Sequence, residues 1–310
     1  MHNAHMSHAQ RAQTSVDIRF VQAFAKINLT LDVLERRADG YHDLATVMQT
    51  IDLCDTICLS ATQDNQVRLV CTKPELSNGD NLAARAAQLL RQRLAIRQGV
   101  LIELHKCIPV AAGLGGGSSD AAAVLLALQQ WWQLQLTPSD LLEIASSLGS
   151  DVPFFLTGGL ALCEGRGERV TALAPYWPES MRWLLVVKPA ISVSTAAVFH
   201  NLPASDYTDG SHSRAVSAAL HAGQKPELED LHNCFERSVL ESYPEVARAR
   251  ADLLQAGALF VRLSGTGPTL FAPFPDLICA QKVREQLQTR GYEVYLSRAI
   301  HPNQGIVNGS

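Results

Sequence analysis

The stretch Val110–Leu128, VAAGLGGGSSDAAAVLLAL, sets four glycines, two serines and an aspartate ahead of a run of helix formers. Glycine loses more conformational entropy on ordering than any other residue, so Gly113, Gly115, Gly116 and Gly117 need a reason. A strand-like run, VLIELHKCI, precedes them. A strand, a glycine-rich loop and a helix in that order form an anion site. The first N–H groups of the helix lack partners, its dipole adds partial positive charge, and missing side chains admit phosphate oxygens. A tight turn alone needs one or two glycines, whereas here Ser118, Ser119 and Asp120 follow four of them at once. The dinucleotide pattern G-x-G-x-x-G fails, since its third glycine counted from Gly113 is Ser118, and no lysine follows to complete G-x-x-x-x-G-K-[ST].

Other residues bear chemistry with an ordinary reading beside the functional one. Asp151, in LGSDVPFF, stands between a predicted helix end and an apolar run, as a helix-terminal residue or as a base. Lys26, in AKINL, lies in an apolar strand, where a lysine commonly snorkels at an edge. Asn81 suits a helix cap and Lys106 an exposed strand position. Gly265, Thr266 and Gly267 read as a turn, Tyr41 and His42 in GYHD as loop residues, and Phe199 as core packing.

The elements around them alternate irregularly. DIRFVQAFAKINLTLDVL, VMQTIDLCDTICLS and VRLVCT are strand-like, and residues 81–98 carry helical apolar spacing. TPSDLLEIASSLG begins with Thr137 as cap, Pro138 in the first turn and Asp140 three residues after the cap. After APYWPES, where we place a domain boundary, come strand RWLLVVKP, helical EDLHNCFERSVL and YPEVARARADLLQAG, strands ALFVRLSG and TLFAPF, and a last helix–strand pair. Without a strict βαβ rhythm this order predicts an α+β fold, with a disordered tail over 1–15 and domains over 16–175 and 176–310.

With 310 residues, 47% hydrophobic and 18% charged, the chain can bury a large interior. A net charge of −4 argues against nucleic acid as a partner, and no apolar run is long enough to span a bilayer. The start lacks the apolar core of a secretory signal, and the seven cysteines form no C-x-x-C pair, so we read a cytoplasmic protein with reduced packing cysteines. His2, His5 and His8 have a spacing that invites metal, but in a polar end they read as disordered chain.

PVAAGLGGGSSDAA resembles the phosphate loop of the GHMP kinase superfamily, named for galactokinase, homoserine kinase, mevalonate kinase and phosphomevalonate kinase. AKINLTLDVLERRADGYHDL, LGSDVPFFL and RLSGTGPTLFA resemble one branch of it, which phosphorylates the 2-hydroxyl of 4-diphosphocytidyl-2-C-methyl-D-erythritol in the non-mevalonate isoprenoid route. The resemblance runs from about Phe20 to Ser297; one departure is Phe24, where the branch usually has proline, which we expect to alter strand packing and not chemistry. It implies a two-domain kinase with ATP and Mg²⁺, working as a monomer or homodimer.

By the same resemblance Asp151 is the catalytic base and Lys26 the charge beside it. ATP is held by Pro109, Val110, Ala111, Ala112, Gly113, Leu114, Gly115, Gly116, Gly117, Ser118 and Ser119, with Asn81 and Lys106 near the adenine and no direct protein ligand to the metal. Tyr41 stacks on cytosine, His42 hydrogen-bonds it and Phe199 closes its other face. Asn28 and Thr195 touch the rest of the acceptor, and Gly265, Thr266 and Gly267 form a second glycine loop at the site. A kinase for mevalonate or homoserine would need no cytosine pocket, and a regulator without catalysis would have no use for both Lys26 and Asp151.

Overall fold

The computed structural model describes residues 18–301, so the tail and its histidines lie outside the described residues. The first half is a seven-stranded sheet with helices on it. In chain order it contains β1 (Ile18–Asn28), β2 (Asp32–Arg36), β3 (His42–Thr62), β4 (Val67–Cys71), α1 (Leu82–Arg93), β5 (Gly99–His105), α2 (Gly116–Trp131), α3 (Pro138–Leu148), α4 (Val152–Thr157), β6 (Leu160–Gly165) and β7 (Arg169–Ala172). The strand order is β4-β5-β3-β6-β7, and the long β3 also pairs with β1 and β2. Only β4 and β5 run parallel. Ile57, Leu59 and Ile102 of the sheet pack with Ala86, Leu90, Leu125 and Ile144 of α1, α2 and α3 into one core.

The second half holds β8 (Trp183–Lys188), α5 (Thr195–Asn201), α6 (Ser211–His221), α7 (Glu236–Ser242), α8 (Pro244–Gln255), β9 (Arg262–Leu263), β10 (Leu270–Phe274), α9 (Leu277–Thr289) and β11 (Glu293–Ser297). Its antiparallel sheet has the order β11-β8-β10-β9. Leu184, Val186 and Phe271 of this sheet share a core with Ala25, Ile27 and Ile51 of the first, so the two sheets pack on each other. This mixture is the α+β arrangement that the sequence predicts.

Local signals act as physics requires. Thr137 and Asp140 form a reciprocal capping box on α3, and the Asn81 side chain accepts from the Ala83 N–H to cap α1. That helix ends at Arg93 and does not reach Gln98; Ala95, at φ 51°, has already turned left-handed. The cysteines are all free, but Cys107 and Cys279 are exposed and so are not packing residues. Among the described residues no helix is long and apolar enough to cross a membrane.

Candidate active site

A cavity of about 1010 Å³ runs between the two halves, lined by residues of both. At one end stands the start of α2. Gly115 is its N-cap with φ 71°, a left-handed conformation that favours glycine, and the Phe155 ring would lie 2.7 Å from any Cβ there. The Ser119 N–H makes the first helical bond, to the Gly115 carbonyl, which leaves the N–H groups of Gly116, Gly117 and Ser118 at the cavity wall for an anion. Residues Pro109 to Ser118 all line the cavity, whereas Ser119 is buried behind them. The glycines also serve the protein's own packing, because a Cβ on Gly113 would sit 2.2 Å from the Ser264 carbonyl oxygen.

Lys26 and Asn28 project from the same face of β1, two residues apart. A bulge between Phe24 and Ala25 shifts the register against β3 just before them. Phe24 still pairs with Cys54, and the shift follows it directly, so the ladder is irregular just where the branch usually has proline. The Lys26 ammonium is buried; it donates to Asn28 Oδ1 at 2.6 Å and to the Gly113 carbonyl at 2.9 Å, and it lies 3.6 Å from Asp151 Oδ2. Asp151 precedes α4, but its side chain caps nothing and accepts no hydrogen bond among the described residues. Its carboxylate is therefore available in the cavity beside a fixed positive charge, which the helix-terminal reading does not explain.

Lys106 also lines the cavity, yet its side chain is buried, which removes the exposed-strand reading. Its ammonium donates to Asp55 and, at 2.8 Å, to Asp120. Asp55 also accepts from the Cys107 and Ile108 N–H groups, while Asp120 Oδ1 has no partner among the described residues. Of two carboxylates sharing one lysine, Asp120 is the worse satisfied, and burial pushes its carboxyl up to about 7 against the pull of Lys106. Asn81 borders the same space with its amide already used, Oδ1 on Ala83 N–H and Nδ2 on the Leu76 carbonyl.

The opposite end is aromatic. Tyr41 is exposed, with the Arg166 guanidinium 5.0 Å above its ring. His42 is buried; its ring lies 5.3 Å from that of Phe199, and its Nε2 is 3.1 Å from the Tyr207 hydroxyl. The ring facing Phe199 is thus His42, so Phe199 is closer to a support for His42 than the sequence suggests, and it also packs on Phe235 at 4.6 Å. Burial and the Arg36 charge lower the His42 pKa, favouring the neutral ring with one donor and one acceptor nitrogen. Thr195 and Thr266 meet through their hydroxyls at 3.0 Å, and Gly265 and Thr266 line the cavity. Gly267 does not; a Cβ on it would meet Leu263, away from the cavity.

A buried chain of hydrogen bonds runs from the lysine into the second half. Asn28 Nδ2 donates to Thr46 Oγ1 at 2.8 Å, Thr46 to the Thr30 carbonyl at 2.5 Å, and Ser213 Oγ to Asp32 Oδ2 at 2.6 Å. Thr30 Oγ1 therefore donates to Ser213 Oγ across 2.7 Å. Both polar atoms of Asn28 are spent inside the protein, so it positions Lys26 as well as lining the cavity. Thr46, Tyr207, Arg166 and Ser213 carried no signal in the sequence, since single polar residues gain meaning only from neighbours that folding supplies.

The chain matches the GHMP kinases N terminal domain over residues 81–159 and the GHMP kinases C terminal region over 216–293. It is 42% identical to a 4-diphosphocytidyl-2-C-methyl-D-erythritol kinase of Pelotomaculum thermopropionicum, covering 90% of this chain and 97% of that protein. The same-named protein of Geobacter sulfurreducens is 41% identical over 90% and 98%. A solved 4-(cytidine 5'-diphospho)-2C-methyl-D-erythritol kinase superposes with a TM-score of 0.77 at 33% identity, covering 94% of this chain and all of that one. A homoserine kinase from Cytophaga hutchinsonii, at 19% identity and a TM-score of 0.71 over 97% and 98%, shares the fold. The chain belongs to the 4-diphosphocytidyl-2-C-methyl-D-erythritol kinase family of the GHMP kinases.

Proposed function

We infer that the chain transfers a phosphoryl group from ATP to the 2-hydroxyl of 4-diphosphocytidyl-2-C-methyl-D-erythritol, in the non-mevalonate route to isoprenoids. The observation that carries this is the Lys26–Asp151 pair, set in one cavity between a helix start open to phosphate and an aromatic end suited to a base. Phosphoryl transfer asks mainly for positioning and charge stabilisation. Asp151, without a hydrogen-bond donor of its own, accepts the proton of the acceptor hydroxyl. Lys26 is held by Asn28 and Gly113, keeps that carboxylate oriented and favours the developing alkoxide.

The N–H groups of Gly116, Gly117 and Ser118 take the ATP phosphates, and the adenine lies toward Asn81 and Lys106. Among the described residues lining this end, the Ser118 hydroxyl is a hard oxygen donor and no thiol or imidazole competes, a donor set suited to Mg²⁺ carried on the nucleotide. Mg²⁺ held there would supply neutralisation of charge on the transferred group. Tyr41, His42 and Phe199 receive the cytosine, while Thr195, Gly265 and Thr266 border the remainder of the acceptor. In this reading residues 16–175 form the nucleotide domain and 176–310 the second domain of a cytoplasmic enzyme acting on small molecules and not on nucleic acid.

ADP release measured with 4-diphosphocytidyl-2-C-methyl-D-erythritol, mevalonate and homoserine in parallel tests the reading. Turnover with the first alone is expected. Turnover with either of the others instead would replace it, and ATP binding without turnover on any would favour a regulator.

A further inference from the structure

Behind the cavity, where β2 meets α6, two half-buried imidazoles stack on each other. His212 and His232 have ring centroids 4.3 Å apart and planes 23° from parallel. The Asp32 carboxylate, fully buried, completes a group whose donor atoms all lie within 4.8 Å of one another. Asp230 Oδ1 lies 4.0 Å from His212 Nδ1.

Neither ring makes a hydrogen bond among the described residues, and neither ring is sealed from water, so their nitrogens are free to take a ligand. Asp32, in contrast, is held firmly. Its Oδ1 accepts from Thr208 Oγ1 at 2.8 Å, and its Oδ2 accepts from the Ser213 N–H at 2.8 Å and Ser213 Oγ at 2.6 Å. A carboxylate offers about four acceptor positions, so one remains. Metal-ligating carboxylates are characteristically oriented by hydrogen bonds of this kind.

We propose that His212, His232 and Asp32 bind one divalent transition-metal ion of the zinc class, with Asp230 in reach as a fourth ligand. Two imidazoles and carboxylate oxygens suit zinc, cobalt or nickel, whereas Mg²⁺ prefers an all-oxygen shell and leaves such a site to other ions. Donor atoms around a tetrahedral ion with bonds of roughly 2.0–2.1 Å stand about 3.4 Å apart. Donor atoms now up to 4.8 Å apart therefore need to close by at most about 1.4 Å, and His212, a third exposed, has room to turn toward the others. The ion would tie β2 of the first half to the start of α6 and to the turn at 230–232. Tyr207, one residue before Thr208, belongs to the segment so anchored and reaches His42 at the aromatic end of the cavity.

The test is a Co²⁺ titration of the full chain, freed of metal by chelator and without nucleotide, so that its outcome is independent of kinase activity. The parent is expected to give the intense visible absorption of tetrahedral cobalt, displaced by Zn²⁺, with one more equivalent bound than in His212→Ala or His232→Ala. In Asp32→Asn the affinity should fall by more than the roughly 10–100-fold that loss of an outer-shell partner costs. His2, His5 and His8 are common to all these proteins and cancel from the difference. Identical titrations of parent and His212→Ala, or only the pale spectrum of octahedral cobalt in the parent, would overturn the site. Should His232→Ala or Asp32→Asn fail to fold, His212→Ala decides alone, since that side chain is a third exposed at the edge of α6.

Discussion

At the nucleotide end of the cavity most of the wall is one continuous segment, Pro109–Ser118, with Asn81 and Lys106 beside it, while at the acceptor end Tyr41, Arg166, Phe199 and Tyr207 come from separate segments of both halves. The first end offers backbone: N–H groups at a helix start, fixed once the helix forms. The second offers side chains whose positions depend on how α5 and the Tyr207 segment pack against β3. A backbone site tolerates little change in the glycines and much elsewhere. A side-chain site should be altered by single substitutions, each in its own way.

The largest effect expected from this contrast is in base discrimination. Stacking does not tell cytosine from uracil, so preference must come from hydrogen bonds at the base edge, and a site built on such bonds rejects a mismatch by up to ~10⁴–10⁵-fold. We expect kcat/KM to favour the cytidylyl acceptor over its uridylyl analogue on that scale. His42→Ala should narrow the gap, whereas Tyr41→Ala should weaken both by the ~1–3 kcal/mol of one stacking contact. Equal kcat/KM values on the parent would mean that the aromatic end is no base pocket.

Next in size is Gly117→Val. A Cβ at Gly117 meets only Leu82, at 3.7 Å, so the variant should fold and place its branches among the phosphates. Gly116 is a poorer probe, since a Cβ there stands 3.0 Å from Ile108 and 3.2 Å from the Lys106 ammonium. Calorimetry should show ATP affinity falling by about 10–100-fold, the worth of one hydrogen bond to a charged group at about 1.5–3 kcal/mol, with acceptor affinity kept. Unchanged ATP affinity would assign the glycines to packing alone.

Smaller again is the tie between the halves. Ser213→Ala removes one of the three donors to buried Asp32 and the link to Thr30, which should lower stability by roughly 1–3 kcal/mol in urea unfolding while leaving ATP affinity alone. Loss of ATP affinity instead would show that the two ends are not separable.

One effect is purely electrostatic. Asp120 is raised to about 7, above the ~3.9 of an unfolded aspartate. The folded state therefore holds a proton that the unfolded state has released. That contribution is complete below pH ~4 and is lost as pH rises through ~7. Asp120→Asn should lose less stability than the parent between pH 5 and pH 8, read as urea midpoints, and parallel profiles would assign the proton elsewhere.

The same contrast explains what was legible in the sequence. The loop, its helix and the Thr137 cap are local, and their residues speak for themselves. EDLHNCFERSVL reads as helix from its spacing, yet α7 begins only at Glu236. Ahead of it the chain is recruited by Leu31, which bonds the His232 carbonyl and the Cys234 N–H, and by the Asn233 amide, which holds the Leu263 and Gly265 carbonyls. These tertiary bonds override local preference. ALFVRLSG likewise pairs only at Arg262 and Leu263. The helices α5 and α6 gave no usable signal, and they bring Phe199 and Ser213 to their places. The burial of Lys106 between Asp55 and Asp120 was equally invisible, because its partners are brought to it only by the fold.

Between the two ends sits the pair on which the account rests. Asp151→Asn keeps the shape and removes the base, so the most direct measurement is its turnover beside its affinities for ATP and acceptor. A fall in kcat of roughly 10²–10⁴-fold is expected, with both affinities close to those of the parent. A folded Asp151→Asn protein that turns over near the parent rate would contradict the assignment of Asp151 as the group that takes the proton.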